Sequence, residues 1–467
     1  MQPTSASVSR RQHSSLSWLT KLTLLAIPLL ASMSRWASIS PGAPNSPYFY
    51  RLLIPALVLG AVASIIRGYR PYGGEWILIS ALLLTALWGV ELIYEGAYGE
   101  EGVAKYIALL FQIAAAIVII WVLRADHERL MWFRYGLLLS LLMQVLIGAW
   151  EVTTSQHLND LVGQEWLFSF RDFPVGTFVN PNNYALFVVG TMGPLLAVAA
   201  LKRRYAWHIL AGLGILAIVI LCVQTSGVAA LTLAGLIGAM WIVFNDFRRL
   251  GTVIMAGTLM LAVTAAATVT NYANIIDFLF STVDENQDTS LTSRLDTYAF
   301  LLRLARAESY LGIGPGSIAD EVVMVSREFQ GEILINPHNT WLEMLVEYGV
   351  FLALPMFAYL VWIVSTLVRS LGRRAGETAR TRYLRVEGMS VVSTIIVANF
   401  IASSLIIETT WWMYIGYAGA IAATLRREWH ATDAAATDRT PATALGEQTA
   451  GPTVDHDLAV HGVAAYQ

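Results

Sequence analysis

The stretch Asn336-Pro337-His338-Asn339-Thr340-Trp341-Leu342-Glu343, continued by Glu347-Tyr348-Gly349, decides how the rest of the chain is read. It is polar and turn-prone, and it runs straight into an apolar helix of spanning length over 345–368. His338 sits just before that helix begins. Upstream lies the longest polar segment of the chain, about 271–337, with apolar runs on both sides. A histidine held where such a loop meets a membrane span is a place for proton chemistry. The blander reading, a helix-capping turn at Pro337-His338-Asn339, stands beside it.

Composition supports a membrane setting. The 467 residues are 56% hydrophobic and 13% charged, where a soluble domain carries about 25% charged residues. The net charge of −3 gives no basic field for a nucleic-acid partner. The single cysteine, Cys222, can form no intramolecular disulfide. Zinc-type Cys/His spacing and the GxxxxGK[ST] phosphate loop are both absent, so neither a metal nor a cofactor is expected.

Working outward, apolar runs of spanning length recur at 18–36, 52–66, 76–94, 106–123, 132–150, 183–201, 206–225, 227–245, 251–270, 345–368, 385–407 and 411–425. The fold class expected is an all-α polytopic membrane protein of about twelve transmembrane helices. The run from Trp18 to Met33 is taken as a span, because no small-residue cleavage site follows it. Basic residues cluster in alternate loops: Arg67 and Arg70; Arg124, Arg129 and Arg134; Lys202, Arg203 and Arg204; Arg248 and Arg249; Arg373 to Arg385; Arg426 and Arg427. The positive-inside rule then places both termini in the cytoplasm. The expected organisation is a cytoplasmic segment 1–17, a membrane domain 18–425 and a disordered cytoplasmic tail 426–467.

Two outside loops are long, 151–182 and 271–343, the latter between the ninth and tenth spans. Within the second, Ser293 to Arg306 reads as a helix with Ser293 as N-cap and positions 295, 298, 302 and 305 on one apolar face, lying along the membrane surface. Gly312-Ile313-Gly314-Pro315-Gly316 is a turn cluster, and a second short helix is expected over about 317–328. No internal repeat is visible.

By this topology only His157 and His338 are outside histidines, and outside arginines are few: Arg171, Arg294, Arg303, Arg306 and Arg327, with Arg35 and Arg51 near the edges. Arginine suits a phosphate because its planar fork binds two oxygens at once, although a single arginine more often makes a surface ion pair. The glycines around Gly314 could approach a phosphate, but a tight turn is their commoner use. Glu343 and Glu347 share a helix face, and Glu347 falls at the membrane boundary. Asn180-Pro181-Asn182-Asn183 opens the sixth span as a turn and cap.

Taken in order, these pieces resemble the O-antigen ligase and polymerase superfamily of bacterial envelope glycosyltransferases. Thr177 to Asn182 is similar to the family's Asn-Pro-Asn segment. Ser293-Arg294 followed by Leu311 to Gly314 is similar to the start of its large periplasmic loop. His338-Asn339 with Gly349 eleven residues after the histidine is similar to its most diagnostic motif. Two positions depart: glycine, Gly227, follows Ser226 where members carry arginine, and Leu352 stands where many have a second glycine.

The resemblance implies a transferase on the outer face of the bacterial cytoplasmic membrane, multi-pass, with an undecaprenyl-diphosphate-linked glycan as donor. The acceptor would be a sugar hydroxyl, on lipid A–core for a ligase or on a second lipid-linked repeat for a polymerase of lipopolysaccharide or exopolysaccharide. Polysaccharide-assembly proteins would be its natural partners. His338 would be catalytic and Arg294 would hold the diphosphate. Arg171 would serve in place of the arginine missing at Gly227, and Asn339, Glu347, Asn180, Asn182 and Gly314 would support the site. The alternative is a twelve-span transporter or lipid-linked oligosaccharide flippase. The absence of repeats and the length of the outer loop, roughly seventy residues, speak against it.

Overall fold

A computed structural model describes residues 16–33, 36–37, 49–68, 74–94, 100–123, 126–158, 173–178, 180–202, 204–224, 228–244, 290–318, 339–371, 378–400 and 405–437. These residues are helical throughout, with short turns and no strand among them. The helices are α1 (Trp18–Met33), α2 (Phe49–Ile66), α3 (Gly74–Tyr94), α4 (Glu100–Leu123), α5 (His127–Thr154), α6 (Pro181–Gly190), α7 (Met192–Lys202), α8 (Tyr205–Gln224), α9 (Val228–Phe244), α10 (Ser290–Ala307), α11 (Thr340–Leu371), α12 (Ala379–Ala398) and α13 (Thr409–Thr437). A 3-10 turn, Leu405–Ile407, precedes α13.

Among the described residues, six runs are long and apolar enough to cross a membrane: Phe49–Ile66, Gly102–Leu123, His127–Thr154, Pro181–Lys202, Tyr205–Cys222 and Gly349–Leu371. Trp18–Met33, Gly74–Val90 and Ala230–Val243 are shorter apolar helices. The chain is a polytopic helical membrane protein. The expected span 251–270 lies outside the described residues, as does most of the expected helix 317–328.

Local sequence sets the helix ends. Asp126 caps α5 through the N–H of Glu128, and Ser155 closes it in the left-handed region at φ 55°. Asn180 caps α6 through the N–H of Asn182, with Pro181 in the first turn, where its missing donor costs nothing. Thr378 caps α12. Of these six spans Pro181–Lys202, made of α6 and α7, is the most buried, 94% of its apolar window, and Phe49–Ile66 of α2 the least, 17%.

The bundle packs α1 on α5, α3 on α11 and α4, and α12 on α7 and α9. At one end, Arg134 of α5 makes a two-pronged pair with Glu387 of α12, Nε to Oε1 at 2.8 Å and Nη2 to Oε2 at 2.5 Å. Tyr417 of α13 donates to the same carboxylate, and all three side chains are buried. Lys21 sits over the Trp132 ring and Lys202 over Tyr135 at this same end. Arg134 and Lys202, two of the basic residues read as cytoplasmic, thus lie at the same end of the bundle.

The segment from Arg426 onward is a separate unit, described only as helical turns to Thr437.

Candidate functional site

The site begins at the start of α11. Asn339 is its N-cap: its Oδ1 accepts from the N–H of Leu342 at 3.1 Å, and its carbonyl accepts from Glu343 at 3.0 Å. The N–H of Thr340 donates to the carbonyl of Asn399 at the end of α12, 3.0 Å, which fixes where α11 starts. His338 is bonded directly to this cap. His338 and Arg171 lie outside the described residues; Arg294 lies in α10, and its side chain is likewise outside them.

Nine residues into α11 the helix breaks. Gly349 has φ 67° and ψ −165°, a region open essentially only to glycine. A break inside a helix strands backbone groups, and here a distant segment takes them up. Ile313 N–H donates to Val346 O at 2.8 Å, Gly314 N–H to Glu347 O at 2.9 Å, and Val350 N–H to Tyr310 O at 2.9 Å. The approach is close enough to need glycine on both sides. A Cβ on Gly349 would overlap the carbonyl of Leu311, and one on Gly312 would come within 2.8 Å of Glu347 O and Gly349 N. Gly312, Gly314 and Gly316 all have positive φ. The N–H groups of Ile313 and Gly314 are therefore spent on α11. The tight-turn reading of Gly314 holds, and a phosphate cradle built from those amides does not. Leu352, where many members of the resembling family have glycine, is fully buried in the core.

The first leg of α11, Thr340 to Tyr348, also anchors α10. Leu301 and Ala305 of α10 pack with Ile318, Leu342 and Val346 in a small core, with Tyr298, Leu304 and Ile313 at its edge. Of the expected apolar face, Tyr298 and Ala305 do face this core, but Leu301 takes the buried position and Leu302 is 50% exposed. Ser293 lies inside α10, which starts at Ser290, and is not its cap. Ser309 and Tyr310, both at positive φ, turn the chain out of α10 into the glycine segment.

Glu347 sits at the centre of this arrangement. Its carboxylate is 5% exposed and accepts from the backbone N–H groups of Gly316 and Ile318. Lys105 of α4 reaches the same place, its Nζ within 2.8 Å of where a Gly316 Cβ would stand. Tyr348 packs against Trp88 of α3 with the rings tilted, centroids 5.8 Å apart. Glu347 precedes the spanning run Gly349–Leu371. Burial pushes its carboxyl up to about 7, against the opposing pull of the Gly316 N–H, the Lys105 charge and the Ile318 N–H.

A second polar group forms around the start of α6. Asn182 contributes its backbone N–H to the Asn180 cap. The side chain that leaves the helix is that of Asn183, whose Nδ2 donates to Glu408 Oε1 at 3.1 Å. Asn183, Phe187, Thr394, Ala398, Trp411 and Tyr414 line an apolar cleft between α6, α12 and α13. The preceding turn is gripped by α5. Glu151 accepts from the N–H groups of Val175 and Gly176, both at 2.7 Å, and lies 3.3 Å from His157 Nδ1. Gln144 accepts from Thr177 N–H at 3.2 Å and donates to its Oγ1 at 2.7 Å.

Sequence reasoning missed Lys105, Asn183, Glu408, Gln144 and Glu151. For Gln144 and Glu151 a signal existed, since polar groups inside a span default to a specific partner. For Lys105 the signal was its rarity, because the chain has only three lysines, Lys21, Lys105 and Lys202.

The fold and site together define a polytopic membrane protein with a polar, loop-braced site where helices end. Residues 210–357 match the family model described as O-antigen ligase. Over those residues the chain is similar to the O-antigen ligase family, the resemblance that its motifs carried. The matched residues run from α8 into α11 and take in α10, the glycine turn, Asn339, Glu347 and Gly349. Comparison with curated proteins found no match.

Proposed function

We propose that this protein is a bacterial membrane glycosyltransferase that moves a glycan from undecaprenyl diphosphate to a sugar hydroxyl on the outer face of the cytoplasmic membrane. The observation that carries the reading is the construction of α11 within the family match. An Asn-capped start beside His338 is held in place by a glycine turn docked onto the Gly349 break. A lipid-borne donor brings its diphosphate to the depth where a span ends, which is where this site lies. In the proposed reaction the acceptor oxygen attacks the anomeric carbon, the bond from that carbon to the diphosphate oxygen breaks, and the lipid diphosphate leaves. His338 takes the hydroxyl proton or orients that hydroxyl. Arg294 and Arg171 neutralise the charge growing on the leaving diphosphate. Asn339 and Asn180 fix the helix starts that carry these loops.

The experiment is transfer by the purified protein in lipid nanodiscs, with a polyprenyl-diphosphate-linked glycan and candidate acceptors. Release of lipid diphosphate together with a lengthened or ligated glycan is expected. Facilitated movement of the donor across a bilayer without glycosidic bond formation would favour the flippase reading.

A further inference from the structure

We propose that Glu347 is a positioning residue: its carboxylate latches the Gly312–Ile318 turn onto the break in α11 and so holds the His338–Asn339 end of that helix in its working place. The inference rests on the transferase reading above for what is being positioned, but the latch itself stands on geometry. Three backbone bonds join residues 310–314 to residues 346–350, and they stop at Gly314. Beyond that point the chain must turn away, and the next two described contacts with α11 both end on one side chain, that of Glu347, through the N–H groups of Gly316 and Ile318. Ile318 then enters the core shared by Leu342 and Val346, on the leg of α11 that Asn339 caps. Glu347 therefore links the backbone pairing to that core. Both of its oxygens accept only while it is ionised, because a protonated carboxyl keeps one acceptor oxygen and turns the other into a donor. The charge facing it is that of Lys105 of α4, and its neighbour Tyr348 feels both Glu347 and Glu343.

The latch is tested by hydrogen exchange of the full-length protein in nanodiscs, read on peptides covering 312–318, with transfer kinetics on the same samples. In Glu347→Ala, exchange of these amides rises about tenfold or more, the scale set by losing bonds to a charged acceptor. Over the same change kcat falls by about tenfold or more and donor KM holds, because the arginines and not this turn meet the diphosphate. Glu347→Gln, which keeps one acceptor oxygen, recovers part of both. Wild-type protection of the segment, corrected for intrinsic rate, weakens as pH falls through about 7 and is flat with pH in Glu347→Gln. Unchanged exchange in Glu347→Ala overturns the latch. Faster exchange with unchanged kcat overturns the positioning role. If wild type forms no glycosidic bond at all, the transferase reading and the positioning role fall together, while the exchange result still decides the latch.

Discussion

Replacing Gly349 by alanine probes the break on which the site is built. At φ 67° and ψ −165° an L-residue is strained, at a cost of about 1–3 kcal/mol. The new methyl also overlaps the carbonyl of Leu311, which belongs to the backbone and cannot swing aside. Either α11 straightens or the turn is expelled. Expulsion loses the Ile313–Val346, Gly314–Glu347 and Val350–Tyr310 bonds, each worth about 1 kcal/mol net. Relieving the strain at Gly349→Ala loses the three bonds, so the substitution should destabilise the protein by roughly 3 kcal/mol. Gly212 of α8 supplies the control, because an added Cβ there meets nothing within 4 Å. Gly212→Ala should cost nothing and can gain up to about 1 kcal/mol from helix propensity. Thermal unfolding in nanodiscs, with exchange on 312–318, reads both. A Gly349→Ala protein as stable as Gly212→Ala would refute the account of the break.

Other outcomes follow from the same contacts. Glu387→Ala leaves Arg134 buried and unpaired, and should cost about 3–5 kcal/mol, whereas Arg134→Met with Glu387→Met should recover most of it; chemical denaturation of the detergent-solubilised protein measures both. Asn339→Ala removes the α11 cap and should cost about 1 kcal/mol, with a modest loss of turnover, measured by thermal shift beside transfer. Glu347 gives a pH signature. Its folded carboxyl is raised from 4.5 to about 7, so the stability it contributes is fully present below 4.5 and lost as pH rises through 7. Wild type minus Glu347→Gln should thus become less favourable across that window, opposite in sign to the tightening of the turn. A flat difference would place the carboxyl's titration elsewhere.

How much of this was legible in the sequence depends on the range of the interaction involved. Helices occur at nearly all the apolar runs because length and hydropathy are local properties, and the Asn180 and Asn339 caps were legible for the same reason. The middle of the α10 face, Leu301 rather than Leu302, was not. Phe300, Leu301, Leu302 and Leu304 put apolar side chains around most of that helix, so periodicity admits more than one face, and the partners on α11 choose. Gly349 was visible as a motif residue, but its reason lies in a pairing with residues 310–314 that no local pattern encodes. Lys105 and Glu408 went unread on the same ground: each reaches a partner on an element far away in sequence.

The most direct test of the central claim is single-turnover transfer from a polyprenyl-diphosphate-linked glycan by wild type and His338→Ala, with donor binding measured on the same folded samples. The account predicts glycosidic bond formation by wild type, a fall of about 10²–10⁴-fold in His338→Ala, and donor binding that is little changed. Near-normal turnover in well-folded His338→Ala, or no bond formation by wild type, would contradict it.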